Sequence, residues 1–192
     1  MNFCRPEQRQ VHTDQGVDTQ RAVYSGYYGG CLFLLPLHEF HARAGWGLKY
    51  LHCVWGNGMI AQICGPVDGR RHDGHLFEVS RINEKLEHLS QRCGVPVHAH
   101  GDSAFPSQSH TTKGGGWEMN RKRICVEWTI GLVYNKWASL DMSAHNQIYL
   151  NRPGAKYLLA CLLTNFHTCI YGNETTKYFS CQPPTLESYM GM

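Results

Sequence analysis

After residue 48 the chain is organised by the spacing of its apolar positions. LKYLHCVW (48–55) and MIAQICGPV (59–67) are strand-like runs, and Gly56-Asn57-Gly58 joins them. Asn-Gly between two apolar runs predicts a β-hairpin. Leu76, Val79, Ile82, Leu86 and Leu89 recur every three or four residues and predict a helix, which Gly94 and Pro96 end. Val95 to Ala99 reads as a short strand ending at Gly101-Asp102, and a loop rich in Ser, Thr and Gly then runs to Gly116. From Asn120 to Leu140 the pattern is helical, with Ile124, Trp128, Gly131 or Leu132 and Asn135 tracing one face. A last helix starts at Pro153, an accepted first helical residue, and continues to Gly172.

The ends differ in texture. Residues 1–26 are polar and broken by Pro6 and Gly16, which predicts extended chain or loop. Residues 27–47 are Gly-rich around a short apolar stretch containing Pro36, and residues 1–47 together read as an irregular segment. Residues 173–192 read as a polar and aromatic tail. The body, 48–172, runs hairpin, helix, strand, long loop, helix, helix. That order predicts an α/β fold with helices on the faces of a sheet.

Composition limits the function classes without choosing one. The chain has 192 residues, 42% hydrophobic and 17% charged, enough for one globular domain with a core. A net charge of +3 permits a polyanionic partner without demanding one. The nine cysteines are odd in number and have no C-x-x-C pair, so we expect buried reduced thiols in an intracellular protein. The longest strongly apolar run, Cys31 to Leu37, is far short of the roughly 20 residues that span a bilayer, so a soluble chain is expected.

Two carboxylates stand in places where chemistry occurs. Asp102, in HAHGDSAFP, follows a strand, at the end of the sheet where α/β proteins place ligands. It is equally a turn residue, since Asp-Ser is ordinary turn chemistry. Glu127, in RICVEWTIG, lies between Val126 and Trp128 on a helix that begins beside Arg121-Lys122-Arg123. A carboxylate among such neighbours is costly unless it is paired or binds a cation. An ion pair with Arg123, four residues earlier, is the structural alternative. In GPVDGRRHDGHLF, Asp68, Arg70, Arg71, His72 and Asp73 crowd one turn, with Asp73 placed to cap a helix. The twelve histidines show no zinc-ligand spacing, and neither a Walker phosphate loop nor a G-x-S-x-G elbow occurs.

At these residues the sequence resembles a known family. QRAVYSG (20–26), LKY (48–50), NGMIAQICGPVDGRRHD (57–73), GDSAFP (101–106), VEWTIG (126–131) and residues 162–190 are together similar to the DDE endonuclease domain of PIF/Harbinger-type transposases. The resemblance implies a ribonuclease H-like fold, a mixed sheet of about five strands flanked by helices. It implies an Asp-Asp-Glu set holding two divalent metals, Mg²⁺ or Mn²⁺, with Asp102 as the second Asp and Glu127 as the Glu. Arg121, Lys122 and Arg123 would contact the DNA backbone. DNA is the implied substrate, a separate Myb-like protein the implied partner, and the nucleus the implied location.

Two departures from the family pattern change what is expected. The first Asp belongs to an Asp-Gly-Thr-like motif just before a segment resembling Cys4-Arg5-Pro6, and Met1-Asn2-Phe3 stand there instead. The chain thus reads as incomplete at its amino end, with the first strand missing or replaced. Asp14 and Asp18 are the available substitutes, in a stretch without strand pattern. Residues 27–47 interrupt the passage from YSG to LKY and resemble translated non-coding sequence. An incomplete triad predicts impaired cleavage, and the alternative is an inactive transposon-derived fragment or a co-opted DNA- or protein-binding domain. A sheet without its first strand would leave edges unpaired, an aggregation hazard.

Overall fold

The two runs beside Asn57-Gly58 do form a hairpin. A computed structural model describes residues 31–42, 46–94, 96–101, 105, 107–113, 124–140 and 152–191. In it the runs are β2 (Trp46–Trp55) and β3 (Ile60–Asp68), paired antiparallel. Strand β1 (Cys31–Ala42) lies antiparallel to β2 on its other side. Next come β4 (His98–Gly101), parallel to β1, and β5 (Thr111–Lys113), parallel to β4. The result is a five-stranded mixed sheet of order β3-β2-β1-β4-β5.

Six α-helices lie among the described residues. They are α1 (Asp73–Ser80), α2 (Ile82–Cys93), α3 (Ile124–Lys136), α4 (Pro153–Tyr171), α5 (Glu174–Phe179) and α6 (Leu186–Met190). Alternation along β2 divides the core between the two faces of the sheet. Tyr50 and Val54 are buried with Ile60 against Cys125, Val126, Ile130 and Val133 of α3 and Tyr157, Ala160 and Cys161 of α4. Leu51 and Cys53 are buried against Leu76 and Phe77 of α1, Ile82 and Leu86 of α2, and Val97, Ala99 and Phe105. The chain is therefore a mixed α/β protein with helices on both faces. The cysteines Cys53, Cys64, Cys125, Cys161, Cys169 and Cys181 are free, and burial pushes the Cys53 and Cys125 thiols well up from their ordinary pKa.

Several expectations need correction. Where residues 1–47 read as irregular, residues 31–42 are a strand, and it is the middle one of the sheet. The edges expected to lie open beside a missing first strand are therefore paired on both sides of β1. The expectations for residues 1–30, including Asp14 and Asp18, lie outside the described residues. The single helix expected through Leu89 breaks at Arg81, which takes a left-handed φ of 49°. Ser80 stabilises the break, its hydroxyl donating to Phe77 O at 2.6 Å and accepting from Ile82 N at 3.2 Å. Strand β4 begins later than Val95, and the loop after it contains β5. The polar tail carries two helices: α5 opens with an Asn173/Thr176 capping box, and α6 packs on α4.

The first residue of the edge strand β3 is paired by one side chain. Asn165 of α4 accepts from Ile60 N at 2.9 Å and donates to Ile60 O at 2.8 Å, and its amide also reaches the Tyr189 hydroxyl at 3.0 Å. A strand edge that would otherwise need water is thus satisfied by a buried amide. We expect Asn165→Leu to cost about 2–4 kcal/mol, because two buried backbone groups lose their partners. Tyr189→Phe, which leaves that pairing intact, should cost about 1 kcal/mol in urea unfolding. Equal and small losses would show that Asn165 does not close the edge.

His52, on β2, is completely buried, and its Nε2 pairs with the Tyr157 hydroxyl at 2.7 Å. Burial lowers its pKa from 6.5 to about 3. In the folded chain the ring stays neutral, whereas in the unfolded chain it protonates below about pH 6.5. Its contribution is complete above that pH and is lost progressively as pH falls toward 3. Unfolding free energy should therefore drop by up to about 2 kcal/mol from this group between pH 6.5 and pH 5. The drop should shrink in His52→Gln, and an unchanged slope would show that His52 is not the group responsible.

Candidate active site

Strand β4 ends at Gly101, and the next residue in the chain is Asp102. Asp102 itself lies outside the described residues, as do Arg121, Lys122 and Arg123. What surrounds the end of β4 is tightly packed. A Cβ at Gly101 would stand 2.7 Å from Phe105 Cδ2, and Phe105 is buried with its ring centroid 5.7 Å from that of Phe77. Glycine at 101 thus lets Phe105 lie directly over the strand end. The histidines of this region are used within the sheet: His110 Nδ1 pairs with Val97 O at 3.1 Å, and His100 Nδ1 with the Thr112 hydroxyl. The His98 and His110 rings stack with centroids 5.7 Å apart.

Glu127 is in the first turn of α3 and is exposed. It stands away from the buried face made by Cys125, Val126, Thr129, Ile130 and Val133. The face traced in the sequence by Ile124, Trp128, Gly131 and Asn135 is consequently not the one that enters the core. Among the described residues Glu127 has no ion-pair partner. An acidic side chain in the first helical turn also favours the helix dipole, which is a structural reason for its presence.

The height of α3 on the sheet is set by the β2–β3 turn. The Thr129 hydroxyl shares its one proton between Cys125 O at 2.8 Å, within its own helix, and Gly58 O at 3.2 Å. The helix packs across β1 and β2, so Glu127 is carried on an element registered to the sheet centre, one strand from β4. On the outward side, Trp128 meets Tyr178 of α5 at 5.3 Å with rings at 86°. Between Glu127 and Trp128, one turn further along, is Gly131. Among the described residues a Cβ there would meet no atom within 4 Å. A mid-helix glycine costs about 1 kcal/mol relative to alanine.

The Asp68 to Asp73 turn has structural work. Asp73 is not the cap of α1: His72 takes that position without a side-chain hydrogen bond, and Asp73 is the first helical residue. The Asp73 carboxylate accepts from Lys49 Nζ at 2.7 Å, and the same ammonium donates to Arg71 O at 2.7 Å. Lys49 is 3% exposed, so this pair anchors the start of α1 to β2. Asp68 forms an exposed pair with Arg70 at 2.8 Å, which holds its carboxyl down at about 2. Lys49 and Tyr178 are not among the residues the sequence singles out; the lone lysine inside LKYLHCVW is a signal for the first, and Tyr178 carries none.

The arrangement can present an exposed carboxylate and an aromatic ring on a helix fixed to the sheet. Among the described residues no group of three or more His, Cys, Asp or Glu side chains could hold a metal ion. None of their helices is long and apolar enough to cross a membrane.

Because Gly58 joins the turn to α3, its substitution should propagate. Its φ is +78°, and a Cβ would stand 2.5 Å from Asn173 Nδ2. We expect Gly58→Ala to destabilise by roughly 2–4 kcal/mol, through left-handed backbone strain and overlap with the start of α5. Thr129→Ser, which keeps the hydroxyl, should cost about 1 kcal/mol. Denaturant midpoints at unchanged m-value check both, and an Ala variant as stable as the parent would mean the turn is not clamped.

Residues 37–165 match the family described as DDE superfamily endonuclease. The match begins within β1, inside the segment expected to be an insertion, and ends at Asn165 in α4. No curated protein and no solved structure matches the chain. With well over half its length matched, the chain belongs to the DDE superfamily of endonucleases.

Proposed function

We propose that this chain is the nuclease domain of a Harbinger-type DDE transposase with a ribonuclease H-like fold. The observation that carries the reading is the family match across 37–165, which spans both Asp102 and Glu127. The mixed five-stranded sheet with helices on both faces supports it. So do a strand ending immediately before Asp102 and an exposed Glu127 on a helix fixed to that sheet. DDE superfamily endonucleases generally use divalent metals. Carboxylate oxygens are hard donors of the kind magnesium takes, and Glu127 is exposed without an ion-pair partner among the described residues, so the donors present suit Mg²⁺ or Mn²⁺. Asp102 and Glu127 would hold the metal. Such ions supply activation of the attacking oxygen and stabilisation of the leaving oxygen in phosphodiester cleavage.

The remaining roles belong to the chain itself. Arg121, Lys122 and Arg123 bind backbone phosphates and set the DNA's register, and Thr129 holds the helix that carries Glu127. The substrate is DNA in the nucleus, and a separate Myb-like protein supplies target recognition. Residues 27–36 precede the family match and are the part of 27–47 still open to reading as an insertion, while β1, which the match enters, stands in for the family's first strand. A spliced transcript lacking those codons would support this origin.

A second reading is favoured by one observation: β1 contains Glu39 and no aspartate, so the first Asp of the triad is not evident. On that basis cleavage is impaired, and the alternative is a transposon-derived remnant or co-opted binding domain without catalysis. Isothermal titration of Mg²⁺ and Mn²⁺ into the chain and its Asp102→Asn, Glu127→Gln double variant separates the readings. Binding is expected in the parent and absent in the variant, with slow cleavage of duplex DNA at most. Identical titrations would remove the metal site and leave the remnant.

A further inference from the structure

We infer that Tyr178 of α5 is a positioning residue for Glu127: its ring clamps Trp128 and so fixes the rotation of α3 about its own axis. This deepens the nuclease reading and rests on it.

The need for a clamp follows from how α3 lies on the sheet. Its buried face, with Val126, Ile130 and Val133, is largely apolar. Thr129 ties that face to Gly58 O, and one hydrogen bond at the contact face resists sliding more than rolling. Successive helical residues are about 100° apart, so Glu127 projects from one flank of the buried face and Trp128 from the other. Whatever holds one flank therefore sets the other. A roll of about 20° would carry a carboxylate roughly 5–6 Å from the axis through about 2 Å. Metal-ligand distances hold to within about 0.2 Å, so so large a displacement would take the carboxylate out of reach.

The Trp128 flank is the one that is held. Its ring meets Tyr178 at 5.3 Å and 86°, an edge-to-face arrangement that aromatic rings favour. A clamp works only if its own support is fixed, and α5, with six residues, is too short to hold itself. Its start is fixed by Asn173, which caps it and also donates to Thr168 Oγ1 of α4 at 3.3 Å. Thr175 and Thr176 are buried in its first turn. Its end is fixed by Phe179, which packs on the core shared by α3 and α4. The Phe179 ring meets the Tyr178 ring edge-on at 4.9 Å and 82°. Tyr178 is thus held between Phe179 and Trp128, although it is 47% exposed. Helix α5 follows the matched residues 37–165, so the clamp comes from outside the matched segment.

An edge-on aromatic pair is worth about a three- to tenfold shift in an equilibrium. Without it, a bound metal must itself order the turn that carries Glu127, and its affinity falls by that factor.

The test uses two readouts on the full chain: hydrogen exchange of amides 128–131 without metal, and isothermal titration with Mn²⁺. Tyr178→Leu should quicken that exchange and weaken Mn²⁺ binding about three- to tenfold. Tyr178→Phe keeps the ring and should restore both to within about twofold of the parent. Phe166→Leu removes a similar edge-on contact, with Tyr189 at 5.7 Å between α4 and α6, and should change neither. Unchanged exchange in Tyr178→Leu overturns the inference, whatever the metal does. An equal loss of Mn²⁺ affinity in Phe166→Leu overturns it too, as does a Phe variant that behaves like Leu. If the parent binds no Mn²⁺ and the exchange pattern holds, the nuclease reading fails while the clamp on α3 stands, so the two failures are distinguishable.

Discussion

The structure depends on a turn that is buried. A two-strand hairpin ordinarily presents its tip to water, yet here Asn57, Gly58 and Met59 are enclosed by helices that arrive much later in the chain. Thr129 donates to the Gly58 carbonyl, Asn173 lies against the Gly58 α-carbon, and Asn57 satisfies the Met59 amide at 3.0 Å. One residue further on, Asn165 closes the strand edge at Ile60. Helices α3 and α4 thereby take polar contacts from the turn and from the first residue of β3, and the cap residue of α5 packs against the same turn. Such contacts are geometrically demanding, because an unpaired buried polar group is costly. They fix the height of each helix along the sheet, which greasy packing alone leaves soft.

How much of this was legible depends on whether the signal was local. Asn-Gly between apolar runs, proline at the first turn of α4 and the glycine after it are local signals, and those elements stand where expected. The break at Arg81 was hidden because the apolar spacing of Leu76 to Leu89 runs through it undisturbed. The serine hydroxyl that makes the break affordable looks like any helix serine. The buried face of α3 carries Val126, Ile130 and Val133 at i, i+4, i+7 spacing, while Trp128, its largest apolar side chain, lies on the outward side with Tyr178.

Strand β1 was hidden by context instead. Its apolar stretch was visible, but Pro36 and flanking glycines read as breakers. In the sheet, that run gains partners on both sides, and pairing outweighs weak local preference. The candidate site divides the same way. Asp102 and Glu127 stand out by their local setting and again by resemblance to a family whose match spans them, whereas the Trp128–Tyr178 contact is visible only when α3 and α5 are seen side by side.

The central position of β1 also bears on how the chain reaches this state. Its contacts with β2 are made between neighbours in sequence, but its other edge pairs with His98, Ala99 and His100, across both α1 and α2. Parallel pairing of that kind requires closure of a long loop before any contact rewards it. A nascent chain would therefore hold a three-stranded meander with the backbone N–H and C=O groups of one β1 edge unpaired until β4 has emerged. During that interval the middle of the future sheet is its most vulnerable border.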